Sequence, residues 1–385
     1  MNKPCARVIY SPVTSVDNFE GEQEISLHAV RAISKRGMLK KAIILNEIDK
    51  DIPARLCYRV KSQPARIFSI PPWYYFPINK IWLDYIASFF IGYGCDIFHI
   101  GHGGALVSLK KAKRNKMVTI LERTNPHPEY QLQMMQEEYV LPGKGFKRPL
   151  RYFYNRWLKE LKLADYLLLS SRFAYDSFME YGFNPKKLIL LPLGVDIDLF
   201  KPPIGKKEGE KFIVLFRCRI CFKRGVQYLL KAWDILNLKL KDAELVLVGD
   251  YSVDEPFFAP YRKNKSIKFM GIVNDRDRLV DIYQRSSLFI LPSIVNSEPL
   301  VTYQAMACGL PLIVTPNAGS MVRDNIDGFI VPIRDAEAIA QKILYLYQNR
   351  DILNKMGERA CAYIREFTWE RYERGLISIY ETVSR

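Results

Sequence analysis

Four cations fall within eight residues in the segment FRCRICFKRGVQYLLKAW: Arg217, Arg219, Lys223 and Arg224. An apolar run ends just before them, and Gly225 opens a helical pattern through Val226, Leu229, Leu230 and Trp233. Fixed positive charge beside the free amides of a helix start is suited to a diphosphate. The same residues also read as a solvated basic turn. A second candidate is PSIVNSEPLVTYQAMACGLP, Pro292 to Pro311. Here a strand ends at Leu291, and a helix is predicted from about Pro299 to Cys308, stopped by Gly309 and Pro311. The amides of Leu300 and Val301 open that helix and again suit phosphate, with Gln304 one turn further on.

Other chemistry-bearing residues are more scattered. The patterns Asp196–Asp198 and Asp275–Asp277 resemble a divalent-metal hold on a nucleotide, or serve as turn and cap residues. No metal is assigned to them. Cys218 and Cys221 form one CxxC with no second ligand pair nearby, so no zinc is assigned either. The seven cysteines are irregularly spaced, as in reduced thiols of a cytosolic protein. His28 falls in a predicted helix and reads as packing or surface. His99 and His102 are placed at a strand end before Gly103–Gly104, and His127 follows a strand in ERTNPHPEY. Strand ends of the first half point toward a binding cleft, which makes His99, His102, His127 and the neighbouring Glu122 candidates for acceptor contacts.

The elements that must position these residues alternate. Apolar strands are predicted at Ala6–Ser11, Lys41–Asn46, Asp96–Ile100, Val118–Thr124, Ala164–Ser171 and Lys187–Pro192, then at Lys211–Arg217, Glu244–Asp250, Ile267–Gly271, Leu288–Ser293, Pro311–Thr315 and Gly328–Val331. Continuous runs such as IVLF, LVLVG and LFILP belong to strands buried on both faces of parallel sheets. With helical patterns between them, they predict two doubly wound α/β domains whose ligand sits in the cleft between. The Pro-, Gly- and charge-rich KPPIGKKEGEK, Lys201–Lys211, reads as the linker. At 385 residues, two hydrophobic cores fit better than one.

Net charge is +16, of which +10 lies in residues 1–200. The charge peaks from Lys144 to Lys162, where seven cations alternate with Phe146, Tyr152, Phe153, Tyr154 and Trp157. That pattern suits an anionic membrane surface, or a solvated helix whose aromatics face the core. No nucleic-acid recognition motif accompanies the charge, and no nucleic-acid partner is expected. No apolar run reaches about 18 residues. The nearest, Ile81 to Tyr93, is shorter and carries Asp84. No signal peptide is read at the start, so a cytoplasmic protein is expected, soluble or peripheral at the inner face of the membrane.

Several of these segments together resemble the family-four retaining glycosyltransferases of the GT-B fold. LPLGVDIDLFKP (Leu191–Pro202) is similar to the family's crossover motif, and Arg219 and Arg224 match the Arg and Lys of its GRL…KG segment. VLVGD, IKFMGIV, LFILPS, QAMACGLPLIVTPNAGS and DNIDGFIVP follow its C-terminal pattern. FTWERYERGLISIY, Phe367–Tyr380, looks like the closing helix that crosses back onto the first domain. The resemblance implies an acceptor-binding domain over 1–203 together with helix 368–385, and a donor-binding domain over 204–367. It implies transfer of a sugar, with retention, from a UDP- or GDP-sugar to a glycan or lipid-linked acceptor, in polysaccharide, lipopolysaccharide or glycolipid synthesis. No permanently bound cofactor is implied.

Carried onto this chain, the family's pattern makes Arg219, Arg224, Asn296 and Glu298 the catalytic candidates. Gly21, Lys223, Val273, Leu300, Val301 and Gln304 become donor-binding candidates. Two departures stand out. The family's Glu-x7-Glu pair is Asn296 and Gln304 here, both amides, and its first Gly-Gly loop reads Glu20–Gly21–Glu22. An alternative expectation is therefore a catalytically weakened relative that binds a nucleotide or a partner.

Overall fold

The computed structural model describes residues 6–12, 21–45, 50–61, 75–92, 94–140, 148–205, 211–236, 239–250, 256–296 and 300–384. The chain packs as two compact units. The first is Met1–Pro128, Lys147–Leu193 and Trp369–Arg385; the second is Glu129–Phe146 and Gly194–Thr368.

Unit 1 is built on a seven-stranded sheet, β1 (Val8–Ser11), β2 (Leu39–Leu45), β3 (Cys57–Val60), β4 (Ile97–Gly101), β5 (Val118–Arg123), β6 (Tyr166–Leu169) and β7 (Leu188–Leu190), in the order β3-β2-β1-β4-β5-β6-β7. All its pairings are parallel. The sequence pattern missed β3, a short edge strand of mixed polarity whose Tyr58 and Arg59 are exposed. Helices α1 (Glu22–Lys35), α2 (Tyr75–Phe90), α3 (Leu106–Arg114), α5 (Arg151–Leu163), α6 (Arg172–Glu180) and the C-terminal α12 (Trp369–Val383) belong to this unit, with α4 (Pro128–Val140) leaving it after its first residue. The closing helix α12 packs on α1, where the His28 ring stacks on Trp369 at 4.2 Å and its Nδ1 lies 2.9 Å from Glu373.

One buried carboxylate ties three of these helices together. Asp84 of α2 accepts hydrogen bonds from the Val107 and Ser108 amides and from Ser108 Oγ, so it caps α3 from outside. Arg156 of α5 pairs with the same carboxylate. Glu160, also on α5, accepts from the Gly103 and Ala105 amides, which satisfies the donors that precede α3.

Unit 2 holds a six-stranded parallel sheet, β8 (Phe212–Arg217), β9 (Ala243–Val248), β10 (Ile267–Gly271), β11 (Leu288–Leu291), β12 (Leu312–Val314) and β13 (Gly328–Ile330), in the order β10-β9-β8-β11-β12-β13. β9 is buried at every position and β11 likewise, as their unbroken apolar sequences demand. The covering helices are α7 (Val226–Leu236), α8 (Arg276–Arg285), α9 (Leu300–Ala307), α10 (Ala336–Gln348) and α11 (Arg350–Ile364). Asp275 caps α8 through the Asp277 and Arg278 amides, and Asp196 accepts from the Asp198 and Leu199 amides. Both Asp-x-Asp patterns thus begin with a residue occupied in local backbone geometry.

The division differs from the boundary expected at residue 203. Helix α4, encoded in the first half, packs within unit 2. Its Glu138 is buried and accepts from Gln227 Nε2, Tyr228 Oη and Arg334 Nε. A carboxylate removed from water in this way needs such donors, and all three belong to unit 2.

Candidate functional site

In unit 2 the strand order reverses between β8 and β11, because β9 and β10 lie to one side and β12 and β13 to the other. Loops at the carboxyl ends of strands diverge at such a point and leave room for a ligand. The cationic segment follows β8, and Ser293–Asn296 follows β11, so the two segments singled out in the sequence meet here. Lys223 carbonyl oxygen accepts from the amides of Ile294 and Val295. A Cβ on Gly225 would lie 1.8 Å from Pro292 O, so this approach requires glycine, and φ there is +72°. Behind the junction, Thr315 Oγ1 donates to Ser293 O and Asn317 Nδ2 donates to Ile294 O. The Asn296 amide donates in turn to Asn317 O.

The four cations separate once folded. Arg217, the last residue of β8, is buried and turned inward. It donates to Gln304 Oε1 at 2.5 Å and to Tyr283 Oη at 3.2 Å, with its guanidinium 5.8 Å from the Tyr283 ring centroid. It therefore leaves the diphosphate-facing set. Arg219 is 73% exposed and lies 3.8 Å from Asp250. Arg224 is half-buried, and its Nη1 is shielded from solvent with no hydrogen-bond partner among the described residues. Ser293 Oγ shares that condition on the facing loop. Buried donors are nearly always satisfied, so two unsatisfied ones on touching loops mark a place for an acceptor-rich ligand. Ser293 was not singled out from the sequence; its only signal was a polar residue ending an apolar run.

The other donor-side residues are placed as follows. Asn296 is 1% exposed and Gln304 3%. Leu300 and Val301 begin α9, where their amides lie beyond the reach of intrahelical carbonyls. Val273 follows β10, two strands out from β8. Gly21 belongs to unit 1, where it stands at the start of α1 with φ +77°. Glu298 and Glu20 lie outside the described residues, as do residues 144–147 of the basic stretch.

In unit 1 the acceptor candidates divide. His99 lies within β4 rather than at its end, is fully buried, and its Nδ1 is 2.6 Å from Tyr380 Oη of α12. His127 stacks on the Tyr181 ring at 4.3 Å between Phe178 and Phe183. Both pack against aromatic side chains within unit 1. His102 Nδ1 accepts from Arg123 Nη1 at 2.6 Å, and burial with that guanidinium pushes its pKa well down. Glu122, partly exposed, accepts from Tyr10 Oη and lines a cavity of about 10 Å³, too small for a sugar.

Burial also pushes the His99 pKa down to about 3. In the unfolded chain the value returns to about 6.5. The unfolded state then binds the extra proton first, so this contribution is complete above about pH 6.5 and is lost as pH falls toward about 3, at about 1.4 kcal/mol per pH unit. His99→Gln is expected to flatten that part of the curve, measured as denaturant stability between pH 7 and pH 4.5. An unchanged slope would exclude His99 as its source.

Two parallel doubly wound units, one with an anion-ready junction at its switch point, define the GT-B class of glycosyltransferases. The family model described as glycosyl transferases group 1 matches residues 211–349, and that described as glycosyltransferase family 4 matches residues 28–199. The chain belongs to this glycosyltransferase family. It is 29% identical over 262 residues to an uncharacterized glycosyltransferase of Methanocaldococcus jannaschii, covering 63% of this chain and 65% of the relative. A UDP-Gal:alpha-D-GlcNAc-diphosphoundecaprenol alpha-1,3-galactosyltransferase of Escherichia coli is 26% identical, covering 46% of this chain and 50% of its own length. The chain thus spans 65%, 50% and 54% of the first curated relatives it matches. A D-inositol 3-phosphate glycosyltransferase of Segniliparus rotundus is covered further, 23% identical over 98% of this chain and 80% of its own. Among solved structures, sucrose-phosphate synthase from Thermosynechococcus elongatus superposes with a TM-score of 0.73 at 16% identity, covering 98% of this chain and 99% of that one. Anabaena HepE in complex with UDP-glucose gives 0.67 at 15% identity, covering 97% and 99%.

Proposed function

We propose that this protein transfers a sugar from a nucleotide diphosphate to an acceptor hydroxyl with retention of configuration. The observation that carries the reading is the β8/β11 junction, whose two touching loops hold Arg224 Nη1 and Ser293 Oγ, each shielded from solvent and without a hydrogen-bond partner among the described residues. A diphosphate oxygen would satisfy both. Arg219, Lys223 and the amides of Leu300 and Val301 would add positive potential as the leaving diphosphate gains charge. That leaving oxygen can itself take the acceptor proton, so no dedicated base is required. The HepE structure is a complex with UDP-glucose, which makes a UDP-sugar the first donor to test and a GDP-sugar the second. The galactosyltransferase relative acts on a diphosphoundecaprenol substrate, which supports a lipid-linked glycan acceptor and a peripheral position at the inner face of a membrane.

The amides at Asn296 and Gln304 then have distinct meanings. Gln304 Oε1 is held by Arg217 and Tyr283, so Glu at that position would make a buried ion pair with Arg217. Asn296 is 1% exposed, and its backbone amide donates to Asn317 O. Asn296→Glu is expected to raise turnover about tenfold or more, since an anion beside a developing oxocarbenium can contribute a few kcal/mol, with little change in nucleotide affinity. The test is nucleotide release from a panel of UDP- and GDP-sugars, with and without lipid-linked acceptors, for wild type and variant. No release from any donor by either protein would sink the transferase reading. Unchanged turnover in an active variant would remove Asn296 from the reacting centre.

A further inference from the structure

The basic stretch from Lys144 to Lys162 places its aromatics differently from a lipid-facing helix. In α5, Phe153 is buried, Trp157 Nε1 lies 3.6 Å from the Cβ position of Gly103, and Arg156 is committed to Asp84. Among the described aromatics of α5 only Tyr152 stands out, 62% exposed. The outward aromatic face belongs instead to α2. There Trp82, Tyr85 and Phe89 are 42%, 49% and 76% exposed. Spaced by three and four residues, they share one stripe of the helix. Half-exposed Ile78 and Ile81 flank it. Isolated exposed apolar side chains are ordinary, whereas a row of three large aromatics on one helix marks a contact surface. Tyr58 of the edge strand β3 is 43% exposed, and its ring lies 4.6 Å from that of Phe90, which extends the patch.

Exposed charge on the neighbouring helices of this unit is of one sign. Helix α2 packs beside α3, and α3 beside α5. The carboxylates of these three helices, Asp84 and Glu160, are both turned inward at 0% exposure. Their exposed charged residues are Lys110, Lys113 and Arg114 on α3 and Arg151, Lys159 and Lys162 on α5, all cations. Asp165, just beyond α5, pairs with Lys113 and offsets one of them. No described helix is long and apolar enough to span a membrane. Aromatics beside cations without exposed acids match the interfacial region of an anionic bilayer, where indole and phenol rings settle at headgroup depth.

We propose that this face of unit 1 docks on an anionic lipid bilayer, with Trp82, Tyr85 and Phe89 entering the headgroup layer and the cations of α3 and α5 holding the phosphates. The idea deepens the reading of a membrane-linked acceptor and rests on it for its purpose. Its test needs neither donor nor acceptor, so the two can fail separately. The full chain is co-sedimented with phosphatidylglycerol-rich vesicles and with phosphatidylcholine vesicles. Binding is expected to the first and not the second, and to weaken as salt rises. Trp82→Ser/Tyr85→Ser/Phe89→Ser is expected to lower it about tenfold or more. Lys110→Gln/Arg114→Gln/Lys159→Gln should lower it about tenfold or more at low salt, with the melting temperature of both triple variants unchanged. Trp fluorescence quenching by brominated lipid should fall in Trp82→Phe. Equal binding to both vesicle types, wild-type binding by the aromatic triple variant, or no binding at all would overturn the proposal. So would a vesicle-free dimer, seen by sedimentation, that the aromatic substitutions abolish.

Discussion

Arg224→Ala is expected to weaken binding of a nucleoside diphosphate by about tenfold to a hundredfold, and Arg219→Ala by only a few-fold. The sequence treats the two alike, as the matched cations of one motif. The fold separates them. Arg224 Nη1 is shielded from solvent and lacks a hydrogen-bond partner among the described residues, so a charge-assisted bond to phosphate there is worth about 1.5–3 kcal/mol. Arg219 is 73% exposed, with Asp250 3.8 Å away, and its contribution is screened by water and salt. Calorimetry with UDP and with GDP measures both variants against wild type. Equal losses, or a larger one at Arg219, would show that the ligand approaches from the exposed side of the loop. Wild-type affinity in both would remove the junction as the donor site.

Gly225→Ala is expected to destabilise unit 2 by about 2–4 kcal/mol and to abolish measurable nucleotide binding at ambient temperature. Two costs add. The residue has φ +72°, where an L side chain is strained by about 1–2 kcal/mol. Its Cβ would lie 1.8 Å from Pro292 O and 2.7 Å from Pro292 C, both backbone atoms that cannot swing aside. Relief requires the Lys223–Gly225 turn to move off the following loop, breaking the bonds from the Ile294 and Val295 amides to Lys223 O. Gly271→Ala is the control, because φ there is +68° and nothing lies within 4 Å of the added carbon. It should cost about 1–2 kcal/mol and leave affinity intact. Denaturant unfolding and calorimetry on the pair decide the matter. Equal behaviour of the two variants would mean that the loop contact contributes nothing.

Much of the architecture was legible because its signals are local. Strands buried on both faces must be continuously apolar, so twelve of the thirteen described strands could be read directly from runs such as LVLV and LFIL. β3 escaped because an edge strand has one exposed side and needs no such run. The cationic turn before Gly225 and the helix start at Leu300 were also readable, since glycine, proline and clustered charge punctuate the chain.

Side-chain direction was not legible, and it determines much of the site. Arg217 and Arg219 are two residues apart across the bend at Cys218, yet one is buried on Gln304 and the other faces solvent, because a helix carrying Gln304 covers the end of β8. His99 looked like a strand-end ligand, and became a core residue once α12, 281 positions later in sequence, placed Tyr380 over it. Ser293 looked unremarkable until the fold buried its hydroxyl without a hydrogen-bond partner among the described residues, on a loop that touches the Lys223–Gly225 turn. The outward face of α2 was not marked in the sequence; it follows from Asp84 facing inward to cap α3 and hold Arg156.

The sequence alone determined where strands, helices and turns fall, and therefore the two doubly wound sheets and the loops that end at the switch point. Hydrophobic periodicity and backbone permissiveness act over a few residues and are written in adjacent letters. Only the tertiary structure decided which cation is desolvated, which polar atoms are left without partners, which histidines are covered and which apolar face stays outside. Those properties depend on what a distant segment places against each side chain, and no local pattern encodes them.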